Sequence, residues 1–292
     1  MSSWQVGAVR VDRVLEFEQP LLDPLQLYPA ATAQTLDRHR PWLEPRLLDP
    51  SSGLMVLAIQ SYLIRSRGIT ILVDTCGGND KPRPNKRRYH MNRHPFLERL
   101  AACGVTPEAV DYVLCTHLHV DHVGWNTRLV DGRWVPTFPR ARHVFATDEW
   151  NYWHDLNNAG KLTDNGYYVD SVLPVAEAGL VTLVGGSHEI TDEVVLEPTP
   201  GHTPGHVAVH IRSQGRDAVL SGDLMHTALQ CAEPDWSSCF CSDPALSART
   251  RRSFLERYAE SATLILPAHF PTPSAGAIRR HGDAWRFRFE GE

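Results

Sequence analysis

Residues 111–126 read Asp-Tyr-Val-Leu-Cys-Thr-His-Leu-His-Val-Asp-His-Val-Gly-Trp-Asn, and this stretch decides the fold prediction. Its first five residues form a short apolar run that predicts a β-strand. Three histidines and one aspartate follow within six positions: His117, His119, Asp121 and His122. Such side chains packed so closely predict a metal site where a strand ends.

The spacing within this cluster indicates a second metal. His117 and His119 are two positions apart, so they point the same way in an extended segment. Asp121 and His122 are adjacent, so they project differently and can serve another ion. Imidazole nitrogen and carboxylate oxygen suit zinc, manganese or iron. Two ions about 3.5 Å apart can hold a hydroxide between them at neutral pH.

Three more ligand-type side chains follow apolar runs elsewhere in the sequence. They are His202 after the run at 194–196, Asp223 after 218–220, and His269 after 263–266. Strand ends on one edge of a sheet lie close together in space. The sequence therefore predicts that all seven side chains converge at one sheet edge.

Composition excludes several classes of protein. The chain has 42% hydrophobic and 22% charged residues and a formal net charge of −5, which gives no basic surface for a nucleic-acid partner. No apolar run approaches the roughly 18 residues that span a bilayer. No signal peptide is visible, and the cysteines lack the spacing of a disulfide framework. We therefore expect a cytoplasmic, soluble protein with no membrane partner.

Strand and helix signals alternate along the chain, which predicts an α/β or α+β class. Residues 54–64 and 69–73 predict a hairpin. We expect a single domain over residues 1–292, with an N-terminal arm at about 1–50 that contains one strand at 6–17. The arm and the loop at 77–94 are each expected to cap the site or to mediate a homodimer. The charge run within that loop, residues 81–88, is expected to be solvated.

The combined motifs resemble the metallo-β-lactamase superfamily over roughly residues 54–270. The matching motifs keep the order and spacing of that family, and they are Leu-Val-Asp-Thr at 72–75, Thr-His-Leu-His-Val-Asp-His at 116–122, Pro-Gly-His-Thr-Pro-Gly-His at 200–206, Ser-Gly-Asp at 221–223 and Pro-Ala-His at 267–269. The resemblance implies the metallo-β-lactamase fold, a four-layer αββα sandwich. It also implies that the site lies at the edge between the two sheets.

The resemblance further implies two divalent metal ions, with zinc favoured and manganese, iron or cobalt possible. Its seven ligands divide into two groups and a bridge: His117, His119 and His202 for one ion, Asp121, His122 and His269 for the other, and Asp223 between them. Asp74 resembles a carboxylate that supports the ligands from behind. His206 resembles a structural partner in its loop that binds no metal.

Within the superfamily, the chain is most similar to hydrolases of N-acyl homoserine lactones and to methyl-parathion-type hydrolases. The features that carry this similarity are Asp121, Asp223 and the segment Leu-Pro-Ala-His-Phe-Pro at 266–271. They imply a metal-dependent hydrolase of a small lactone or carboxylic ester, such as a quorum-quenching lactonase. An organophosphate triester hydrolase and a thioester hydrolase of the glyoxalase II type remain open. The intact ligand set argues against a non-enzymatic binding protein.

Position 226 departs from the lactonase pattern. The best-known acyl-homoserine lactonases carry a tyrosine three residues after the bridging aspartate, where this chain has His226. That tyrosine polarises the lactone carbonyl or protonates the leaving oxygen, and a histidine can do the same work near neutral pH. We therefore predict that Asp121 or His226 handles the proton when a metal-bridging hydroxide attacks the substrate.

Apolar residues close to the motifs are candidates for an acyl pocket. They are Trp125, Met225 and Phe270, with Leu224 and Trp236. Aromatic residues beside a motif also serve as core, so packing is the competing interpretation.

Overall fold

A computed structural model describes residues 2–162 and 166–292. Its strands are β1 Ser3–Val6, β2 Val9–Leu22, β3 Met55–Ser66, β4 Ile69–Val73, β5 Tyr112–Leu114, β6 Thr127–Val130, β7 Arg133–Pro136, β8 Arg142–Ala146, β9 Val181–Val184, β10 His188–Thr191, β11 Val194–Pro198, β12 Val207–Ser213, β13 Arg216–Gly222, β14 Leu264–Pro267, β15 Gly276–His281 and β16 Ala284–Phe289. Its helices are α1 Pro24–Leu27, α2 Ala33–Leu43, α3 Phe96–Ala102, α4 Thr147–Asn158, α5 Tyr167–Ser171, α6 Leu173–Glu177, α7 Leu229–Ala232 and α8 Pro244–Tyr258.

Within the described residues, the strands form two seven-stranded sheets and one two-stranded ribbon. The first sheet has the order β1-β2-β3-β4-β5-β8-β9, the second β10-β11-β12-β13-β14-β15-β16, and β6 pairs with β7. Each sheet contains a parallel pair beside the site, β4 with β5 and β13 with β14. The carboxyl ends of parallel strands meet at one edge of a sheet, which is where loops can gather functional groups.

The two sheets pack face to face through one shared core. Ile71 and Leu114 of the first sheet are buried in the same cluster as Val209 and Leu220 of the second. On the outer side of the first sheet, Leu100 of α3 belongs to a second cluster. A third cluster, beyond the other sheet, contains residues of α2, α7 and α8. The layers are therefore those of the predicted αββα sandwich.

The N-terminal region differs from its prediction. One strand was expected at 6–17, whereas β1 and β2 form a hairpin. Gly7 permits this turn because it adopts a φ of +59°, and an added Cβ would lie 2.1 Å from the backbone oxygen of Ser213. β2 then pairs with β3, while α1 and α2 contribute to the core on the second sheet. Residues 3–43 are thus part of the sandwich and not a separate arm.

Other element predictions differ mainly at their boundaries. The hairpin predicted at 54–64 and 69–73 is formed by β3 and β4, and β16 lies at the edge of the second sheet. Thr106 precedes a single 3-10 turn, Pro107–Ala109, and its side chain makes no capping hydrogen bond. Among the described helices, none is long and apolar enough to cross a membrane.

The charge run at 81–88 is not the solvated loop that was expected. Lys81 and Arg83 are buried. The Arg83 guanidinium donates to both carboxylate oxygens of Asp170, at 2.6 and 2.7 Å. Lys81 Nζ donates to Thr127 Oγ1 at 2.6 Å and lies 3.7 Å from the ring centroid of Trp134. Asp170, nearly ninety residues away in sequence, provides the counter-charge that burial of these cations requires.

Candidate active site

Strand ends bring the seven predicted ligands together. The loop after β5 carries His117 to His122, and segments after β11, β13 and β14 carry the others. Hydrogen bonds join the edges of the two sheets, since Val207 N–H donates to Thr116 O and Ala58 N–H donates to His269 O, both at 3.0 Å. The ligand atoms form two close groups at this edge.

Three imidazoles make up the first group. Nε2 of His117 lies 3.0 Å from Nδ1 of His119 and 3.2 Å from Nε2 of His202. Nε2 of His202 lies 2.9 Å from Nδ1 of His119. Burial lowers the pKa of all three, that of His119 to about 3. Neutral imidazole nitrogens that converge on one point are the arrangement that binds a divalent ion.

Asp223 connects this group to a second one. Its Oδ2 lies 3.3 Å from Nε2 of His202. Its Oδ1 lies 3.2 Å from Nε2 of His122 and 2.9 Å from Nε2 of His269. Asp121 completes the second group, with Oδ2 at 3.8 Å from Nε2 of His269. Asp223 therefore presents one carboxylate oxygen to each group.

The hydrogen bonding of the cluster is incomplete. Nε2 of His122 and Oδ1 of Asp223 are buried and lie 3.2 Å apart, but neither has a hydrogen bond of suitable geometry with any residue in the described ranges. Buried polar atoms are almost always satisfied, so these two atoms call for a further partner. Nitrogen and carboxylate oxygen ligands match divalent ions such as zinc. The cluster therefore fits a metal site.

Asp74 lies behind the predicted ligands. Its Oδ2 is 2.9 Å from Nδ1 of His122, and its Oδ1 accepts a hydrogen bond from the Thr116 N–H at 2.7 Å. A carboxylate on one imidazole nitrogen fixes the ring and directs the other nitrogen to the metal. Asp74 thereby orients Nε2 of His122 toward Asp223.

His206 holds the Asp223 backbone. The Asp223 N–H donates to Nε2 of His206 at 3.0 Å, and Nδ1 of His206 lies 2.8 Å from Thr199 Oγ1. Burial lowers the pKa of His206 to about 4, which keeps Nε2 an acceptor. Gly222 has a φ of +52°, and an added Cβ would lie 2.6 Å from Nε2 of His206. The Ser-Gly-Asp motif thus needs its glycine for this close approach.

A cavity of about 240 Å³ opens onto the cluster. Five polar side chains of the site line it: His119, Asp121, Asp223, His226 and His269. The rest of the wall is mostly apolar, with three cationic side chains, and consists of Leu21, Leu22, Leu57, Ile59, Lys86, Arg88, Tyr89, Val120, Trp153, Lys161, Leu162, Tyr167 and Phe240. A concave apolar site with a few polar groups is typical of small-molecule binding.

The three residues predicted for an acyl pocket do not line this cavity. Trp125 is buried, and its Nε1 donates to Glu16 Oε1 at 2.7 Å. Met225 is fully buried, and Phe270 packs on Phe287 with ring centroids 4.8 Å apart. None of the three lines the cavity. Closeness to a motif in sequence does not decide whether a side chain turns toward the site or toward the core.

His226 lies in the cavity beside the first group. Its Nε2 is 3.3 Å from Asp223 Oδ2, and its ring centroid is 5.0 Å from that of His202. Its Nδ1 is buried and has no hydrogen-bond partner among the described residues. The imidazole is thus placed within reach of a bound substrate.

Two supporting residues were not predicted. The Tyr89 hydroxyl donates to Asp121 Oδ2 at 2.7 Å. Glu149 accepts from the Leu118 N–H at 2.9 Å and from the Gly205 N–H at 3.0 Å, so it clamps together the two loops that carry the first group. The only signal for Glu149 in the sequence is that it is an acidic residue in the first turn of a helix, α4. Tyr89 had none, because its loop shows no periodicity.

The αββα sandwich and the metal-type cluster at its sheet edge define a metal-dependent hydrolase. Residues 54–269 match the metallo-beta-lactamase superfamily, and the chain belongs to this superfamily.

Known proteins with related sequences or folds agree with this class. Metallo-beta-lactamase domain-containing protein 1 of Xenopus laevis is 28% identical over 204 residues, which cover 70% of this chain and 67% of that protein. The hydrolase AbOPH of the beta-lactamase superfamily superposes with a TM-score of 0.82 at 22% identity, covering 99% of this chain and 97% of that one. The dizinc quorum-quenching lactonase AidC, in complex with a product, gives 0.79 at 18% identity, covering 100% and 97%.

Proposed function

We propose that this protein is a two-metal hydrolase that cleaves a small lactone or carboxylic ester. The observation that carries the proposal is the position of Asp223. One of its oxygens faces His202 and the other faces His122 and His269. A carboxylate shared in this way is suited to bridge two ions.

The proposed ligands follow from the two groups of atoms. His117, His119 and His202 bind one ion, Asp121, His122 and His269 bind the second, and Asp223 binds both. The donor set favours zinc, with manganese, iron and cobalt as alternatives. When bound, such a pair of ions polarises the substrate carbonyl and lowers the pKa of a water molecule.

The side chains of the cavity supply the proton transfers in the proposed reaction. The Tyr89 hydrogen bond holds Asp121 in its ionised, acceptor state beside the reacting centre. His226 donates a proton from its imidazole to the leaving oxygen of the ester or lactone. Its position next to Asp223 Oδ2 gives it access to the same face of the substrate as the ions.

The size and surface of the cavity favour a small acyl substrate. Its volume of about 240 Å³ lies slightly below that of ordinary ligand pockets, and Leu22, Leu57 and Ile59 are among its apolar residues. The structural similarity to the lactonase AidC supports the same class of reaction. A phosphate triester or a thioester would meet the same ligands, so the substrate test must include both.

The deciding experiment is a substrate panel on purified protein with its metal content measured. The panel contains acyl homoserine lactones, para-nitrophenyl esters, acyl thioesters and a paraoxon-like triester. We expect two ions per chain and the highest kcat/KM on a lactone or ester. Fastest turnover of the triester or thioester would replace the proposed substrate class. Two bound ions without turnover of any panel member would overturn the proposal.

A further inference from the structure

The cavity carries more positive charge than hydrolysis of a neutral ester requires. Lys86, Arg88 and Lys161 all line it. Among the described residues that line it, the acidic side chains are Asp121 and Asp223, which are metal ligands in the proposed function. Bound divalent ions would more than balance those carboxylates. Arg88 and Lys161 therefore add positive charge to the part of this wall that the structure describes.

Arg88 is the best placed of these cations. Its guanidinium carbon lies 5.7 Å from the ring centroid of Tyr89 and 6.0 Å from that of Phe240. Tyr89 is hydrogen-bonded to Asp121, and the Phe240 ring centroid is 5.9 Å from that of His226. Arg88 therefore contacts two aromatic rings of the cavity wall, and each ring lies next to a residue of the candidate site. Contact with two aromatic rings restricts the guanidinium and leaves its N–H groups to bind a ligand.

Two other arginines of the loop at 77–94 differ from Arg88 because each has a carboxylate partner. On the same loop, Arg83 is bound to Asp170 and Arg93 is bound to Asp80. Arg88 forms no ion pair with any residue in the ranges 2–162 and 166–292, although it is half-buried. A half-buried guanidinium without a carboxylate is a ready partner for an anionic group.

We propose that Arg88 forms a carboxylate-binding subsite in the wall of the cavity, so that the preferred substrate is an ester or lactone whose acyl part ends in a carboxylate. This inference rests on the proposed function, because it assigns one more group to the same substrate. Water adds to the acyl carbonyl, the bond to the leaving oxygen breaks, and that oxygen takes the proton. The distal carboxylate is unchanged and serves only to position the acyl chain.

The test compares two esters of matched length on the metal-loaded protein. Mono-para-nitrophenyl glutarate carries the distal carboxylate, and para-nitrophenyl valerate ends in a methyl group instead. We expect the wild type to favour the glutarate ester in kcat/KM by about tenfold, mainly through KM, and high salt to reduce this preference. Arg88→Met should abolish the preference, whereas Arg88→Lys should retain part of it.

Arg93→Met is the matched control, because Arg93 belongs to the same loop but does not line the cavity. It should keep the wild-type preference. Equal preference in the wild type and Arg88→Met would overturn the subsite while leaving the hydrolase intact. If neither ester is cleaved, the affinities of the protein for free glutarate and free valerate are measured by calorimetry, and their comparison tests the subsite without turnover. Tighter binding of glutarate that is lost in Arg88→Met supports the subsite, and equal binding of the two acids by the wild type overturns it.

Discussion

The ligand cluster and the loop at 77–94 face the same cavity but are built differently. The ligands follow strands of two sheets, whose backbone hydrogen bonds fix the positions of the strand ends. The loop is held through side chains instead, such as Arg83 on Asp170 and Tyr89 on Asp121. In the proposed function, the first region carries the metal ligands and the second carries groups that select the substrate.

Because the two regions are held in different ways, substrate specificity can change without loss of the hydrolytic chemistry. Replacing a residue at a strand end alters the metal site itself. Changing the tip of the loop alters the cavity and leaves the strand ends in place. We therefore expect variants of the ligand cluster to lose metal and variants of the loop at 77–94 to keep it.

The largest expected effect is on the shared carboxylate. Asp223→Ala removes the group that faces both sets of ligands, so the protein should lose at least one ion and hydrolysis should fall on the order of 10³-fold or more. Elemental analysis and kcat/KM measure the two losses. The control is Asp217→Ala, because Asp217 is an exposed residue of β13, the strand that precedes Asp223, and this change should alter neither quantity. Full metal content and full rate in Asp223→Ala would show that the ligand assignment is wrong.

His226 borders both regions, and its replacement should separate rate from metal binding. His226→Phe should lower kcat by about 10²-fold, the lower range of general acid–base catalysis, with metal content unchanged. His226→Tyr should restore part of the rate, because a phenol can also donate to the leaving oxygen. An unchanged rate in His226→Phe would mean that His226 only packs beside the cluster.

Asp74 tests the support behind the ligands. Asp74→Asn keeps the shape of the side chain but removes the charge beside Nδ1 of His122, and metal affinity should fall about 10–100-fold. Competition with a chelator measures this change. Asp80→Asn is the control, since Asp80 pairs with Arg93 on the loop and touches no ligand. Equal affinities in wild type and Asp74→Asn would remove Asp74 from the metal site.

The sequence could predict that the seven side chains lie together, because their positions follow from the topology of the strands. His202, Asp223 and His269 each follow an apolar strand, so a strand prediction also places the side chain that comes next. The four layers could be predicted once the motifs suggested the superfamily. The hairpin at β1 and β2 could not, because the turn depends on the contact of Gly7 with Ser213 in another sheet.

The cavity wall could not be predicted, because its residues are positioned by distant partners. Met225 lies directly beside the site in sequence, yet it turns into the core. Lys81 and Arg83 were expected in solvent, and Asp170 draws them inside. Pairings between residues far apart in sequence leave no periodic signal, and here they decide which side chains meet the substrate.

The smallest expected effect concerns Lys81, which holds the loop at 77–94 through its contacts with Thr127 and Asp170. Burial lowers the pKa of Lys81 to about 7, against the opposing charge of Asp170. In the unfolded chain the pKa returns to about 10.4, so between pH 7 and 9 the unfolded state retains a proton that the folded state releases. The stability of the wild type relative to Lys81→Met should therefore rise with pH over this window, by roughly 2 kcal/mol.

Denaturant unfolding at pH 7 and pH 9 measures this difference between wild type and Lys81→Met. The matched control, Lys161→Met, changes an exposed lysine and should give a difference that does not vary with pH. Metal content should be normal in Lys81→Met, because Lys81 contacts Thr127, Asp170 and Trp134 and no ligand. A pH-independent difference would show that Lys81 stays charged in the folded protein, and metal loss would show that the loop and the ligand cluster are not separable.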